Sequence, residues 1–114
     1  MAKVGHFVID PKAGAYCQIT LDSGEKILVN HDKGASKAGR LSIEVTKFMG
    51  LSSNRIFGCD LDTPQGTAVL GRLTRDARPG TSEATPLGAL VEFVKPCSSV
   101  AEVKSKCAAL PPGS

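Results

Sequence analysis

The sequence predicts an α+β fold, mainly an antiparallel β meander of six or seven strands followed by a C-terminal α-helix. Between Val4 and Arg75 apolar residues recur mostly at every second position, which is the period of half-buried strands. A clear helical period begins only after Pro96. At 114 residues the chain has the size of one domain, which we expect to span residues 1–110, with the sheet forming a small, partly open barrel.

The first three strands are predicted from alternation and turn chemistry. Residues 5–9 form a short strand that ends at residues 10–14, where Pro and Gly favour a turn. Residues 16–21 form the second strand, with Cys17, Ile19 and Leu21 on one face. Residues 22–25 are a compact hairpin turn into a third strand at residues 26–31.

The central part of the chain is predicted to continue the sheet. Residues 41–49 also fit a helical face, but their β-branched residues favour a strand. In the fifth strand Phe57, Cys59 and Leu61 share a face. Residues 63–66 have Pro and Gly where a type I turn prefers them, so residues 67–75 are expected to complete a second hairpin as a sixth strand.

The C-terminal third is predicted to contain one further strand and the helix. Residues 87–95 suit either a strand or a helix begun by Thr85 and Pro86, and we favour the strand. Ser99 and Glu102 form a capping-box pattern for the last helix, whose apolar side includes Cys107. Residues 111–114 are expected to be a flexible tail or a cloning remnant.

The charge distribution permits an anionic ligand without requiring one. The net charge is +3, and the excess lies in the first half of the chain. The Gly-rich loop at residues 32–40 could present backbone amides together with basic side chains to an anion, although it lacks the order of a Walker loop. With one Tyr and four Phe, and a pI near 8.8, a nucleic-acid partner is possible but not favoured.

Cysteine and histidine are better explained as structural residues than as metal ligands or catalysts. The cysteines have no metal-site spacing, so we expect no metal or cofactor, and Cys17, Cys59 and Cys107 lie on predicted apolar faces. Cys97 precedes the last helix and is the one thiol outside this pattern. His31 has the parity of the core residues in its strand and is expected at the core edge.

These observations favour a non-enzymatic binding module for a small molecule or a protein partner. A phosphate- or nucleic-acid-binding small barrel and a small enzyme using His31 or Cys97 are the alternatives. The chain has no membrane-spanning pattern and no secretory signal, so we expect a cytoplasmic protein without membrane contact, and a homodimer formed through sheet edges or the exposed helix side. The candidate binding residues are His31, Lys33, Lys37, Arg40, Arg72 and Arg75.

Overall fold

A computed structural model describes residues 3–10, 14–32, 39–47, 52–75 and 86–110 and shows one sheet with three helices. All neighbouring strands are antiparallel and follow one another in sequence order, which confirms the α+β class and the meander. The strands are β1 (Lys3–Asp10), β2 (Gly14–Thr20), β3 (Lys26–Asp32), β4 (Arg40–Lys47) and β5 (Ser52–Asp60). The helices are α1 (Pro64–Arg75), α2 (Pro86–Val94) and α3 (Val100–Ala108).

The prediction of six or seven strands with a single helix was wrong, first because residues 67–75 belong to α1. The Thr63 hydroxyl accepts a hydrogen bond from the Gly66 N–H at 3.0 Å, as an N-cap residue does. Pro64 then occupies the first helical position, where its missing N–H costs nothing. Val69 and Leu73, one helical turn apart, are both buried. The residues predicted as a type I turn therefore start a helix.

The preference for a strand at residues 87–95 was also wrong, because Pro86–Val94 is α2. Leu87, Leu90, Val91 and Val94 are all buried, so the helical face that the sequence also offered is the one that packs.

The sheet is open rather than partly closed as a barrel, with β1 and β5 as its edges. The helices cover the apolar face of the sheet, which closure of a barrel would otherwise have enclosed.

The hydrophobic core lies between the helices and one face of the sheet. Burial alternates along β2 and β3, and the predicted core positions Cys17, Ile19 and Cys59 are confirmed. Removing a large aliphatic side chain, such as that of Ile19, from water contributes roughly 1.5–3 kcal/mol to the free energy of folding. The largest fully buried side chains are Ile19, Ile27, Leu41, Ile43, Leu90, Val29, Val69, Val94, Val103 and Cys17.

The β2–β3 hairpin is fixed to the start of α3. The Glu25 carboxylate accepts a hydrogen bond from the Val100 N–H at 3.0 Å, so it caps the helix from outside the helix's own segment. The Ser99 half of the predicted capping box is confirmed, because the Ser99 hydroxyl accepts from the Glu102 N–H at 3.3 Å. The Glu102 carboxylate accepts at 3.0 Å from the N–H of Ser98, one residue before the N-cap residue Ser99. The first turn of α3 is thus held by both its own residues and the sheet.

Within the described ranges, none of the helices combines the length and the apolar character needed to cross a lipid bilayer.

Each edge strand pairs with its neighbour through an irregular register. In β1 the irregularity lies between Val4 and Phe7, and in the β4–β5 pair it lies beside Ile43 and Glu44. Bulges of this kind bend a strand and turn side chains that would otherwise alternate regularly.

Candidate functional site

The sheet face turned away from the helices carries a group of polar residues around a cavity. We call it the open face; it includes Tyr16, Asn30, Ser42 and Glu44, whose parity is opposite to that of the core residues. The cavity, here the face cavity, measures about 310 Å³, near the lower end of the range of about 300–1,000 Å³ for ligand sites. It is lined by Gly14, Ala15, Tyr16, Asn30, His31, Asp32, Ser42, Glu44 and Arg55.

A row of residues directly opposite one another across four strands forms the floor of the site. Tyr16 pairs with Asn30, Asn30 with Ser42, and Ser42 with Gly58. Tyr16 is 43% exposed, which leaves its ring and hydroxyl accessible, whereas Ser42 is only 7% exposed. The row therefore provides hydroxyl and amide groups for hydrogen bonding on one continuous surface.

A bulge in β5 brings Arg55 to the open face. Phe57 lies opposite Ile43, but the next pair along is Arg55 with Glu44, so Ile56 is the extra residue of β5. In a regular strand Arg55 would share the core face with Phe57. Because of the bulge, Arg55 lines the face cavity instead.

Two arginine side chains converge above Gly58. A methyl group at this position would lie 3.1 Å from Nη2 of Arg40 and 3.2 Å from Cδ of Arg55, so the absence of a side chain makes room for both. Nε of Arg40 is shielded from solvent and has no hydrogen-bond partner among the described residues. Its nearest carboxylate oxygen, Oδ1 of Asp60, is 3.7 Å away, which is too far for a hydrogen bond.

Glu44 lies directly opposite Arg55 on the neighbouring strand and also lines the face cavity. Opposite charges at such cross-strand positions commonly pair. Here, no ion pair within 4.0 Å joins them, and the described residues provide no other hydrogen-bonding or ionic partner for Glu44. The Cδ of Arg55 lies over Gly58, and the carboxylate of Glu44 and the guanidinium group of Arg55 form no direct ion pair.

Of the six sequence-predicted binding residues, His31 is among those that line the face cavity, and Arg40 lies next to the cavity, over Gly58. The His31 side chain is buried, with its Nε2 facing Gly39, which has a φ of +88°. This burial agrees with the expected core-edge position of His31. Arg72 is exposed on α1, in the helical layer on the other side of the sheet.

The remaining predicted binding residues fall wholly or partly outside the described part of the chain. Lys33 and Lys37 lie outside the described residues. Arg75 is the last residue of α1, and its side chain also lies outside the described part.

The thiols lie away from the face cavity. Cys97 is only 4% exposed, and burial raises its pKa, as it raises the pKa of Cys17 and Cys59. Burial raises the pKa of Cys107 to about 11. Since the thiolate is the nucleophile, these environments oppose thiol reactivity at neutral pH. No group of three or more potential metal ligands occurs within the described ranges.

Sequence reasoning missed the residues that form most of the site. Alternation at residues 41–49 places Ser42 and Glu44 on the polar side of a strand without indicating a site. Arg55 could not have been found from parity, because a regular alternation places it on the core face with Phe57. The signal in the sequence was the neighbouring Gly58, which in a strand indicates a bulge or a close approach.

The fold and the site define a small α+β protein whose helices cover one face of an antiparallel meander and whose other face carries a polar cavity. A scan of known protein families, a search of characterised proteins and a search of solved structures each found no match for this chain. Function is therefore inferred from the face cavity and its charges.

Proposed function

We propose that this protein is a non-enzymatic binding module that holds a small molecule with an anionic group in the face cavity. The observation that carries the proposal is that the Arg40 guanidinium group and the Arg55 side chain both lie over Gly58, which pairs with Ser42 of the cavity lining. An anion bound over Gly58 would be attracted by both guanidinium groups. A carboxylate or phosphate would also be held in the geometry that guanidinium groups favour.

The unpartnered nitrogen of Arg40 supports the same proposal. Leaving a buried donor without an acceptor costs about 1–3 kcal/mol, and more where the group is charged. An anion accepting from Nε of Arg40 would remove this cost, which Asp60 at 3.7 Å does not. The Tyr16, Asn30 and Ser42 side chains can then hydrogen-bond the polar remainder of the ligand.

The charges around the face cavity favour a small ligand over a polyanion. Arg40 and Arg55 are accompanied by three carboxylates, those of Asp32, Glu44 and Asp60. A nucleic-acid surface is expected to have an excess of basic residues, because binding depends on phosphate neutralisation. The alternative of a nucleic-acid-binding protein thus gains no support from this part of the molecule.

A binding module rather than an enzyme is proposed because of where the candidate catalysts lie. The ring of His31 packs on the core side, against Gly39. Cys97 is buried beside α3, where burial raises the pKa of its thiol. Cys97 lies outside the lining of the face cavity, and the His31 side chain is buried, so neither is placed as an accessible general base there.

The experiment that tests the proposal is a titration with two anionic probes, N-acetyl-L-serine and inorganic phosphate, followed by isothermal calorimetry. We expect at least one probe to bind. We expect Arg40→Gln and Arg55→Gln each to lower its affinity by about ten-fold, since a hydrogen bond to a charged group contributes about 1.5–3 kcal/mol.

The matched control is Lys104→Gln, which removes an exposed positive charge from α3. It should leave the affinity for either probe unchanged, apart from weak long-range electrostatics. The proposal fails if neither probe binds, or if Lys104→Gln weakens binding as much as the arginine variants do.

A further inference from the structure

We propose that the ligand class is a small zwitterion of the amino-acid type, with its carboxylate between Arg40 and Arg55 and its ammonium group on Glu44. The inference rests on the proposed function, because it assumes that the face cavity binds a small molecule. It adds a second recognised charge and therefore a specific class of compound.

The first argument is the separation of Glu44 from Arg55. These residues are direct cross-strand neighbours on the same face, yet no ion pair joins their side chains. An opposite-charge pair that close would ordinarily contribute about 0.2–1 kcal/mol to the sheet. Instead Arg55 extends over Gly58, which leaves the cavity with a positive and a negative group held apart.

The second argument is that the other carboxylates near the cavity are already engaged. Asp60 forms the 3.7 Å ion pair with Arg40, and Asp32 has an interaction of its own. Glu44 is half-buried and has no ionic partner among the described residues. A partly desolvated carboxylate of this kind is stabilised by a cationic group that also donates hydrogen bonds, as an ammonium group does.

The third argument is that both the arrangement of charges and the size of the cavity suit a small zwitterion. A zwitterion presents opposite charges a few bond lengths apart, which matches a site where Glu44 and Arg55 occupy neighbouring strands. A cavity of about 310 Å³ accommodates a metabolite-sized molecule rather than a polymer. A simple anion would leave Glu44 facing a ligand of its own charge sign, which is unfavourable.

The test compares L-serine with two blocked analogues, N-acetyl-L-serine, which lacks the ammonium group, and L-serinamide, which lacks the carboxylate. Affinities are measured by chemical-shift titration of the intact protein. We expect L-serine to bind about ten-fold more tightly than either analogue, since each analogue loses one charge-assisted interaction.

Two variants assign the charges separately. Glu44→Gln should remove the preference for L-serine over N-acetyl-L-serine while keeping the preference over L-serinamide. Arg55→Gln should do the reverse. Asp62→Asn, an exposed carboxylate before α1, is the matched control and should keep both preferences.

The outcomes separate this inference from the proposed function. If N-acetyl-L-serine binds as tightly as L-serine in an Arg40- and Arg55-dependent manner, the cavity binds anions and the zwitterion inference is wrong. If none of the three compounds binds, and phosphate does not bind either, both proposals are wrong. If Glu44→Gln leaves the preference for L-serine intact, the assignment of the ammonium group to Glu44 is wrong.

Discussion

At the scale of single residues, the lack of a side chain at Gly58 determines which neighbouring side chains can occupy the candidate site. It lies in the row Tyr16, Asn30, Ser42, Gly58 and keeps the space above the strand free for Arg40 and Arg55. The two guanidinium-bearing side chains are flexible, so a methyl group here would displace them rather than disrupt the sheet.

Gly58→Ala is therefore expected to separate binding from stability. We expect the affinity for N-acetyl-L-serine to fall several-fold while the free energy of unfolding changes by less than about 1 kcal/mol, since Ala suits a strand interior better than Gly. Calorimetric titration and urea denaturation measure the two quantities. A loss of stability without loss of affinity would show that Gly58 serves the sheet and not the site.

Cys107 gives the second residue-scale prediction, on pH. Burial raises the pKa of its thiol to about 11 from the ordinary value of 9.0, so the folded protein keeps a proton that the unfolded chain loses. The contribution of Cys107 to the free energy of unfolding should therefore be fully present well below pH 9 and fall as pH rises toward 11, by about 1.4 kcal/mol per pH unit at most.

Urea denaturation between pH 7 and 11 checks this prediction. Cys107→Ala removes the titrating group, so its stability curve should decline less steeply over the alkaline range than that of the original protein. Equal slopes for the two proteins would contradict the assignment to Cys107. The variant is expected to be less stable at neutral pH, because the thiol fills space in the core.

At the scale of elements, the first hairpin and the last helix could be predicted from the sequence, but the middle helices could not. Alternation and turn chemistry are local signals, and β2, β3 and the capping box of α3 depend on them. The Thr63–Gly66 segment has turn chemistry that suits a type I turn and a helix start equally. The segment forms a helix because the apolar face of the sheet must be covered by a second layer, which local sequence does not show.

The same limit applies to the candidate site. Arg40 is a candidate from the sequence because it ends a basic loop, whereas the position of Arg55 depends on a bulge whose register is set by pairing with β4. A single extra residue reverses the face of every residue before it in the strand. Parity along β5 therefore could not reveal that Arg55 belongs to the open face.

A pair of glycines in α1 tests how this helix attaches to the sheet. A methyl group at Gly66 would lie within 2.6 Å of Cα of Leu61 and collide with the backbone of Asp60, whereas Gly71 has open space around its α-carbon. We expect Gly66→Ala to lower the free energy of unfolding by roughly 2–3 kcal/mol, as overpacking against a backbone does.

Gly71→Ala is the matched control in the same helix. It should raise stability by roughly 0.5–1 kcal/mol, because Ala has a higher helix propensity than Gly. Urea denaturation compares the two variants. Equal changes in the free energy of unfolding would mean that the start of α1 does not pack against the end of β5.

At the scale of the whole molecule, the sheet has a helix-covered face, an open face and two edges. Both edge strands pair through irregular registers, and β1 begins with Lys3. Bulges and edge lysines hinder the pairing of one sheet with another. The predicted homodimer stays a prediction, and the bulges favour the helix side over the sheet edges as its interface.

Amide hydrogen exchange at two protein concentrations tests this view of the edges. The outward-facing amides of β1 and β5 are expected to exchange at the same rates in dilute and concentrated protein, since no second sheet protects them. Protection of these amides that increases with protein concentration would instead show that the edges pair between copies.

The central claim is that the open face, and not the helical layer, binds a small anionic molecule. The most direct measurement is the change in backbone amide chemical shifts during titration with N-acetyl-L-serine. The claim predicts saturable shifts concentrated at Tyr16, Asn30, Ser42 and Gly58, which Arg55→Gln weakens. Shifts confined to α1, α2 and α3, or no saturable shifts at the open face, would contradict it.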